Sequence, residues 1–247
     1  MKSFYVKGLS FFLFILFEMT FFSFSQSAFA AIPVGQMVWV RGNVQVIDAS
    51  NRTQGLQRRS PVYERDTIVT NSGSAQIVFT DNSLVVLREG TTFHLAQYKF
   101  NPGAAGDSKY VADMAKGGFR TITGLISRNN PEGYQVNTPV ATIGVRGTSY
   151  SADLRDGLTV KLESGALFVT NSQGTAQLNV ATNQIYAVVK GAHTAPAVSK
   201  TPPPMIRELP AIVPATMSTG SSSSAVSSDV ARPVSGGGTT TGGFCIK

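Results

Sequence analysis

Few residues in this chain have the types and the spacing that catalysis or metal binding requires. The two histidines, His94 and His193, lie far apart in the sequence, and the single cysteine is Cys245. A metal site needs clustered nitrogen, sulfur or oxygen ligands, so no metal is predicted. Ser149 follows Gly147 but lacks the flanking glycines of a nucleophile elbow. These observations predict a protein that is not an enzyme and that uses no cofactor.

Acidic residues leave one enzymatic alternative open. The pairing of two carboxylates in space, which a glycoside hydrolase needs, is not visible in a sequence. The chain has 14 Asp and Glu residues, and a hydrolase that uses two of them is the third interpretation of its function. A deep pocket with facing carboxylates would favour it.

The composition predicts a folded protein of modest size. Charged residues make up 14% of the 247 residues and hydrophobic residues 42%, so the chain can bury enough apolar surface to fold. A single cysteine cannot build a disulfide framework. An ordinary hydrophobic core must therefore hold the elements together.

The first 30 residues have the pattern of a secretory signal peptide. Lys2 and Lys7 precede an apolar stretch over 9–24, and Ala28-Phe29-Ala30 supplies the small-x-small cleavage pattern. An uncleaved membrane anchor is the alternative, but Glu18 interrupts the stretch, which is shorter than the roughly 20 residues that a bilayer requires. We predict cleavage, export to the periplasm or cell surface, and no membrane span afterwards.

Positive charge is scattered along the chain rather than clustered. The net charge is +7 at pH 7, and the main local concentration lies in a predicted surface loop over 50–65. This loop is either simply solvated or a binding surface for an anionic envelope polymer. Nucleic acid is not an expected partner of an exported chain.

The body of the chain, 31–192, alternates short β-type runs with turn residues. Apolar residues of one parity alternate with more polar residues of the other, as in Leu158, Val160 and Leu162 or in Ala75, Ile77 and Phe79. Turn signals at regular short spacing predict an all-β fold, either a sandwich or a short solenoid-like stack of strands. Segments 69–77 and 169–178 resemble each other, which indicates two independent corners or a repeated unit.

The composition changes after the body. Residues 193–247 contain Pro202-Pro203-Pro204, a serine run and a glycine run. Such a stretch cannot bury enough apolar surface to offset the entropy of ordering, so it is predicted to be a disordered, flexible C-terminal tail. A spacer directed to the cell wall or a docking segment is the alternative.

One segment of the body carries a recognisable motif. Within 136–150 a Thr-Pro pair leads into an apolar strand and then into Arg-Gly-Thr and an aromatic residue, and this run resembles the signature of the FecR-like domain. The strands at 66–70 and 75–79 and the Asp-Asn-Ser turn at 81–83 resemble the upstream part of that domain, with Asn in place of Gly. The resemblance covers about 64–155. The motif residues are Pro139, Gly144, Arg146, Gly147 and Thr148.

These motif residues have a structural interpretation of their own. Pro139 cannot donate to a sheet and is predicted at a strand start or edge. Gly147 is predicted to adopt a backbone conformation closed to side chains, as in a bulge or tight turn. Arg146 is predicted to hold that corner by donating to backbone carbonyls. A partner-binding role for Arg146 is the alternative.

The resemblance implies a place in signalling. The best-known family members regulate iron-uptake signalling, with a cytoplasmic segment that binds a sigma factor, one membrane span and this domain outside. Here a predicted signal peptide precedes the domain, so direct transmembrane signalling is not expected. We predict a non-enzymatic, exported cell-envelope protein that binds another protein or an envelope polymer. The second interpretation is a periplasmic accessory of a signalling or iron-uptake regulatory system.

Overall fold

The computed structural model describes residues 31–203. The predicted signal peptide, and the predicted tail from residue 204 onward, lie outside the described residues. No helix in the described part of the chain is long and apolar enough to cross a membrane.

Strands dominate the described residues, which confirms the all-β prediction. They are β1 Gly35–Arg41, β2 Val44–Ile47, β3 Thr53–Gly55, β4 Pro61–Val62, β5 Thr67–Thr70, β6 Ser74–Phe79, β7 Leu84–Leu87, β8 Thr91–Lys99, β9 Lys109–Ile122, β10 Tyr134–Asn137, β11 Thr142–Leu154, β12 Leu158–Asn171, β13 Gly174–Asn179, β14 Tyr186–Val189 and β15 Ala197–Ser199. One short α-helix, α1, spans Leu125–Asn129, and 3-10 turns occur at Ala105–Asp107, Pro131–Gly133 and Val180–Thr182.

The strands form one continuous sheet in which three long strands change neighbours along their length. β9, β11 and β12 have 13 or 14 residues each and bend near Gly117, Gly147 and Gly165. These glycines have φ of +90°, +59° and +82°, a region that side chains rarely adopt. Each bend therefore sends one strand from one half of the sheet into the other.

The two halves share these long strands but differ in their other members. The first half has the order β3-β2-β5-β8-β9-β10-β11-β12-β13, and the second has β4-β1-β6-β7-β9-β11-β12-β14-β15. Neighbouring strands are antiparallel except for β9 and β10. Antiparallel pairing suits short strands joined by tight turns.

A single hydrophobic core lies between the two halves. The ring of Phe79, on β6, lies 5.5 Å from the rings of both Tyr98 and Tyr110, which belong to β8 and to the first part of β9. Phe93 and Phe119 meet across the core in the same way, with ring centroids 5.7 Å apart. The halves thus face each other, because each strand turns its apolar parity inward.

The parity that faces the core reverses at each bend. In β12, Val160 and Leu162 are buried before Gly165, whereas Leu167 and Val169 are buried after it. A bulge adds one residue to a strand and so shifts the alternation by one. The bends are therefore built into the hydrophobic pattern of the sequence.

The two similar segments at 69–77 and 169–178 form different structures. β5 and β6 flank the first turn but pair with other strands, β2 and β8 for β5 and β1 and β7 for β6. β12 and β13 flank the second turn and form a hairpin with each other. The segments are independent corners with related turn residues, and not copies of one unit.

The ordered sheet extends past the predicted body boundary at 192. Ala197–Ser199 forms β15 and pairs with β14, with Val198 opposite Ala187. This part of the predicted tail is therefore a strand, because the edge of β14 offers backbone groups that a further strand can satisfy. The body reaches at least Ser199.

Candidate functional site

The Arg-Gly-Thr segment lies at the bend of β11. The pairing of β11 with β12 shifts register between Arg146 and Ser149, which is the bulge predicted at Gly147. A β-carbon built at Gly147 meets only Cγ of Arg128, at 3.7 Å. The glycine is thus required for its positive φ and not for lack of space.

Thr123 and Thr148 hold this bend together. The backbone N–H and the hydroxyl of Thr123 both donate to the carbonyl of Thr148, at 2.9 and 3.0 Å. The N–H of Thr148 donates back to the Thr123 hydroxyl at 2.9 Å. Both side chains are buried, so these bonds satisfy backbone groups that the bulge removes from the regular ladder.

Arg146 does not hold the corner, and the prediction that it donates to backbone carbonyls is wrong. Its side chain is exposed and makes no hydrogen bond or ion pair with any described residue. Ile143 and Val145 face the core, so the alternation of β11 directs Arg146 to solvent. The Thr148 carbonyl at the bend accepts its hydrogen bonds from Thr123 instead.

Pro139 and Gly144 occupy surface positions. Pro139 is exposed in the turn between β10 and β11, which closes through the N–H of Thr138 donating to the carbonyl of Ala141 at 2.9 Å. Gly144 lies on the outward parity of β11, and nothing stands within 4 Å of a β-carbon built there. Of the predicted motif residues, Gly147 and Thr148 therefore form the bend, whereas Pro139, Gly144 and Arg146 lie on the surface.

The Asp-Asn-Ser turn is a second buried anchor. The Asp81 carboxylate accepts hydrogen bonds from the backbone N–H and hydroxyl of Ser83, at 3.1 and 2.6 Å, and from the Tyr98 hydroxyl at 3.1 Å. Burial and the Asp81 charge raise the pKa of Tyr98. Asn82 has φ of +63°, a left-handed conformation that asparagine adopts more readily than most residues with a side chain.

The segment that begins α1 joins the two anchors. The carbonyl of Asp81 accepts from the N–H of Leu125 at 2.9 Å, and its carboxylate accepts from the N–H of Ile126 at 3.4 Å. Two residues upstream, Thr123 binds Thr148. The turn at 81–83 and the bend at 147–148 are distant in sequence, yet a single short segment fastens both.

α1 and the bend of β11 together form a surface with two arginine side chains at its centre. Arg128, on α1, and Arg146, on β11, flank Gly147, and both are exposed. Neither guanidinium forms an ion pair with a described residue, unlike Arg88, Arg120 and Arg155. We call the surface formed by Arg128, Arg146 and Gly147 the arginine corner. Sequence reasoning missed Arg128, because no local pattern connects α1 with β11.

A buried ion network was also invisible in the sequence. Arg88 and Arg155 both donate to the Asp153 carboxylate at 2.7 Å, and Arg88 and Asp153 are buried. Asp153, Arg155 and Asp156 line an open cavity of about 340 Å³. Both oxygens of Asp153 are engaged by arginines, which suits a structural ion pair better than a proton-transferring acid. Within residues 31–203, no three metal-ligating side chains cluster.

A comparison with known families matches the part of the chain that holds both anchors. Residues 66–167 match the family model described as FecR protein. The chain contains a FecR domain. The match begins near the predicted start at 64 and extends beyond the predicted end at 155, so that it includes the bend of β12 at Gly165. The FecR domain thus contains the Asp-Asn-Ser turn, α1 and the arginine corner.

The solved structures that resemble this chain have low sequence identity to it. Two crystal structures of a candidate anti-sigma factor from Parabacteroides distasonis are 17% identical to this chain, with TM-scores of 0.42 and 0.41. The alignments cover 54% and 53% of this chain and 58% and 57% of those chains, so this chain spans less than two thirds of them. A cell surface anchoring domain is 26% identical over 25% of this chain and 82% of its own, with a TM-score of 0.24. No curated protein matches significantly.

Proposed function

We propose that this protein is a non-enzymatic, exported component of cell-envelope signalling whose FecR domain binds a partner protein through the arginine corner. One observation carries the proposal. The corner's backbone is satisfied by Thr123, so the exposed Arg146 side chain is not needed to maintain it. A cation that the fold does not use is available to a partner.

The charges indicate the chemistry of that partner. Arg128 and Arg146 offer planar, multiply donating groups that bind carboxylates in a bidentate manner. Both stand on a rigid base, because the Thr123–Thr148 bonds and the Asp81 anchor fix α1 against β11. An acidic segment of another envelope protein fits this surface.

The family supplies the biological setting. A FecR domain at 66–167 supports a role associated with signalling, and the sequence features over 1–30 support export. The second candidate keeps the same surface but makes the protein an accessory of an iron-uptake regulatory system, with a separate membrane protein as the partner. Identification of the captured partner distinguishes the two.

Partner capture from intact cells tests the proposal. Crosslinked complexes of the wild-type chain are compared with those of the double variant Arg128→Ala/Arg146→Ala. Arg58→Ala is the matched control, because Arg58 is also exposed and unpaired within the described residues but lies outside the FecR domain. We expect the double variant to lose the partner and the control to retain it. Equal capture by all three proteins would contradict the proposal.

Export has its own test. The Ala28-Phe29-Ala30 pattern places cleavage before Ala31, so the intact mass of protein from the periplasmic fraction is expected to correspond to a chain that starts there. A full-length product held in the inner membrane would contradict export and release.

A further inference from the structure

The outer face of the first half of the sheet carries a row of uncharged side chains. Strand pairing places Gln177 opposite Phe168, Phe168 opposite Gly144, and Gly144 opposite Gln135. Val111 and then Gln97 continue the row across β9 and β8. We call these six residues the Phe168 row. All belong to the solvent-facing parity of their strands, and none carries a charge.

A shallow depression interrupts the row at Gly144. Nothing lies within 4 Å of a β-carbon built at Gly144, so the backbone of β11 is open to solvent there. Phe168 stands beside the depression and is 39% exposed, which is unusual for a large aromatic side chain. An exposed ring next to bare backbone offers a flat apolar wall to a ligand that lies across the strands.

The amides of the row have unused hydrogen-bonding capacity. Gln97 and Gln177 make no side-chain hydrogen bond with any described residue, and Gln135 uses only its NH₂ group, which donates to Asn137. In the adjacent row the side chains bind one another, as Asn137 does with Asp113 at 2.8 Å. The Phe168 row is thus the part of this face whose polar groups are free to hydrogen-bond with a ligand.

We propose that the Phe168 row binds a neutral, linear glycan built of equatorially substituted pyranose rings. The apolar face of such a ring stacks on an aromatic side chain, and its hydroxyl or acetamido groups pair with amides. Neighbouring strands lie about 4.8 Å apart, so the four strands from Gln177 to Gln135 span about 14 Å. One sugar unit per strand matches this spacing.

A protein partner fits the row less well. Protein interfaces place apolar and aromatic residues at a desolvated centre. Here a single exposed ring stands among amides, and none of the six residues carries a charge. The inference adds a glycan to the proposed binding function and uses a different set of side chains from the arginine corner.

Sedimentation of the full chain with insoluble polysaccharides tests the inference. Chitin supplies acetamido groups, and cellulose supplies hydroxyls alone. We expect saturable binding of the wild-type chain to at least one of them. Phe168→Ser should weaken binding about tenfold, since stacking is lost, and Gly144→Glu should abolish it by filling the depression. Val198→Ser, at the same 39% exposure, and Gly106→Glu, at another open glycine, should leave binding unchanged.

The outcomes separate this inference from the proposed function. A wild-type chain that sediments with neither polysaccharide, or variants of the row that bind as wild type, would overturn the inference alone if capture through Arg146 persists. If Phe168→Ser instead lost a captured protein while no polysaccharide bound, the row would be a protein interface and the inference would be wrong. Arg146→Ala is expected to retain polysaccharide binding.

Discussion

At the scale of single residues, the glycines at the strand bends have different structural roles. Gly147 and Gly165 both have positive φ, and both allow a long strand to cross between the halves of the sheet. A β-carbon at Gly147 has room, whereas one at Gly165 would lie 2.3 Å from the carbonyl oxygen of Gly147. Gly165 therefore combines a backbone requirement with a close approach of two strands.

This difference predicts unequal costs of substitution. Gly147→Ala should lower the free energy of unfolding by about 1–2 kcal/mol, the penalty for a side chain in the left-handed region. Gly147→Val should cost about 1–3 kcal/mol. Gly165→Ala should cost about 3 kcal/mol or more, because steric overlap adds to the strain. Urea unfolding measures all three, and a Gly165→Ala protein as stable as Gly147→Ala would contradict the described packing.

At the scale of elements, α1 depends on a turn more than 40 residues upstream. Five residues are too few to form a stable helix alone, so the bonds from Leu125 and Ile126 to Asp81 must fix it. α1 in turn carries Arg128 to the arginine corner. The geometry of the proposed site thus depends in part on the backbone carbonyl and carboxylate of a buried turn residue.

Removal of that carboxylate should loosen α1 and lower stability. Asp81→Ala leaves the two Ser83 donors without their acceptor, at a cost of about 1–3 kcal/mol for each buried group left unpaired, whereas the Tyr98 hydroxyl keeps its hydrogen bond with Thr80. Asn82→Gly, at the adjacent residue with φ of +63°, is the control and should be nearly neutral. Hydrogen exchange at the Leu125 and Ile126 amides should accelerate in Asp81→Ala. Unchanged protection there would show that α1 is held by other contacts.

Many of the strands could be predicted from the sequence, and the features that could not be predicted have a common physical cause. The alternation at 158–162 predicted a strand. The change of apolar parity to Leu167 and Val169, which the bend at Gly165 produces, is also visible in the sequence. The bulge at Gly147 followed from the motif. The fold-back of the sheet, the Arg88–Asp153 pair and the position of Arg128 could not be predicted, because each depends on contacts between distant strands.

At the scale of the whole molecule, the core contains several buried tyrosines. Burial raises the pKa of Tyr98, Tyr110, Tyr134 and Tyr150 above the usual value for a phenol. The unfolded chain then loses these protons first as the pH rises through about 10. Since the unfolded state binds fewer protons there, stability falls with increasing pH.

Tyr110→Phe tests this pH dependence. The Tyr110 hydroxyl has no hydrogen-bond partner among the described residues, so the substitution removes a titrating group without breaking a bond. We expect near-wild-type stability at pH 7. Above pH 10 the loss of unfolding free energy should be shallower, by up to about 1.4 kcal/mol per pH unit. Urea unfolding between pH 8 and 11 measures the slope, and identical slopes would contradict burial of this hydroxyl.

Truncation of the chain tests how far the folded body extends. A chain that ends at Pro203 keeps β15, whereas one that ends at Gly191 exposes the edge of β14. We expect the longer chain to melt as the full-length protein does, and the shorter chain to melt a few degrees lower but still cooperatively. Equal melting of the two truncated chains would show that β15 contributes nothing to the body.

In the proposed function, Arg146 serves partner binding and does not stabilise the fold. The most direct measurement is the free energy of unfolding of Arg146→Ala, determined on the same preparation that is used for partner capture. The structure predicts a change within about 0.5 kcal/mol, as for an exposed side chain without partners, together with loss of the partner. A loss of about 1–3 kcal/mol would instead indicate that Arg146 satisfies buried carbonyls, and would contradict the claim. Wild-type capture by a stable Arg146→Ala protein would contradict it equally.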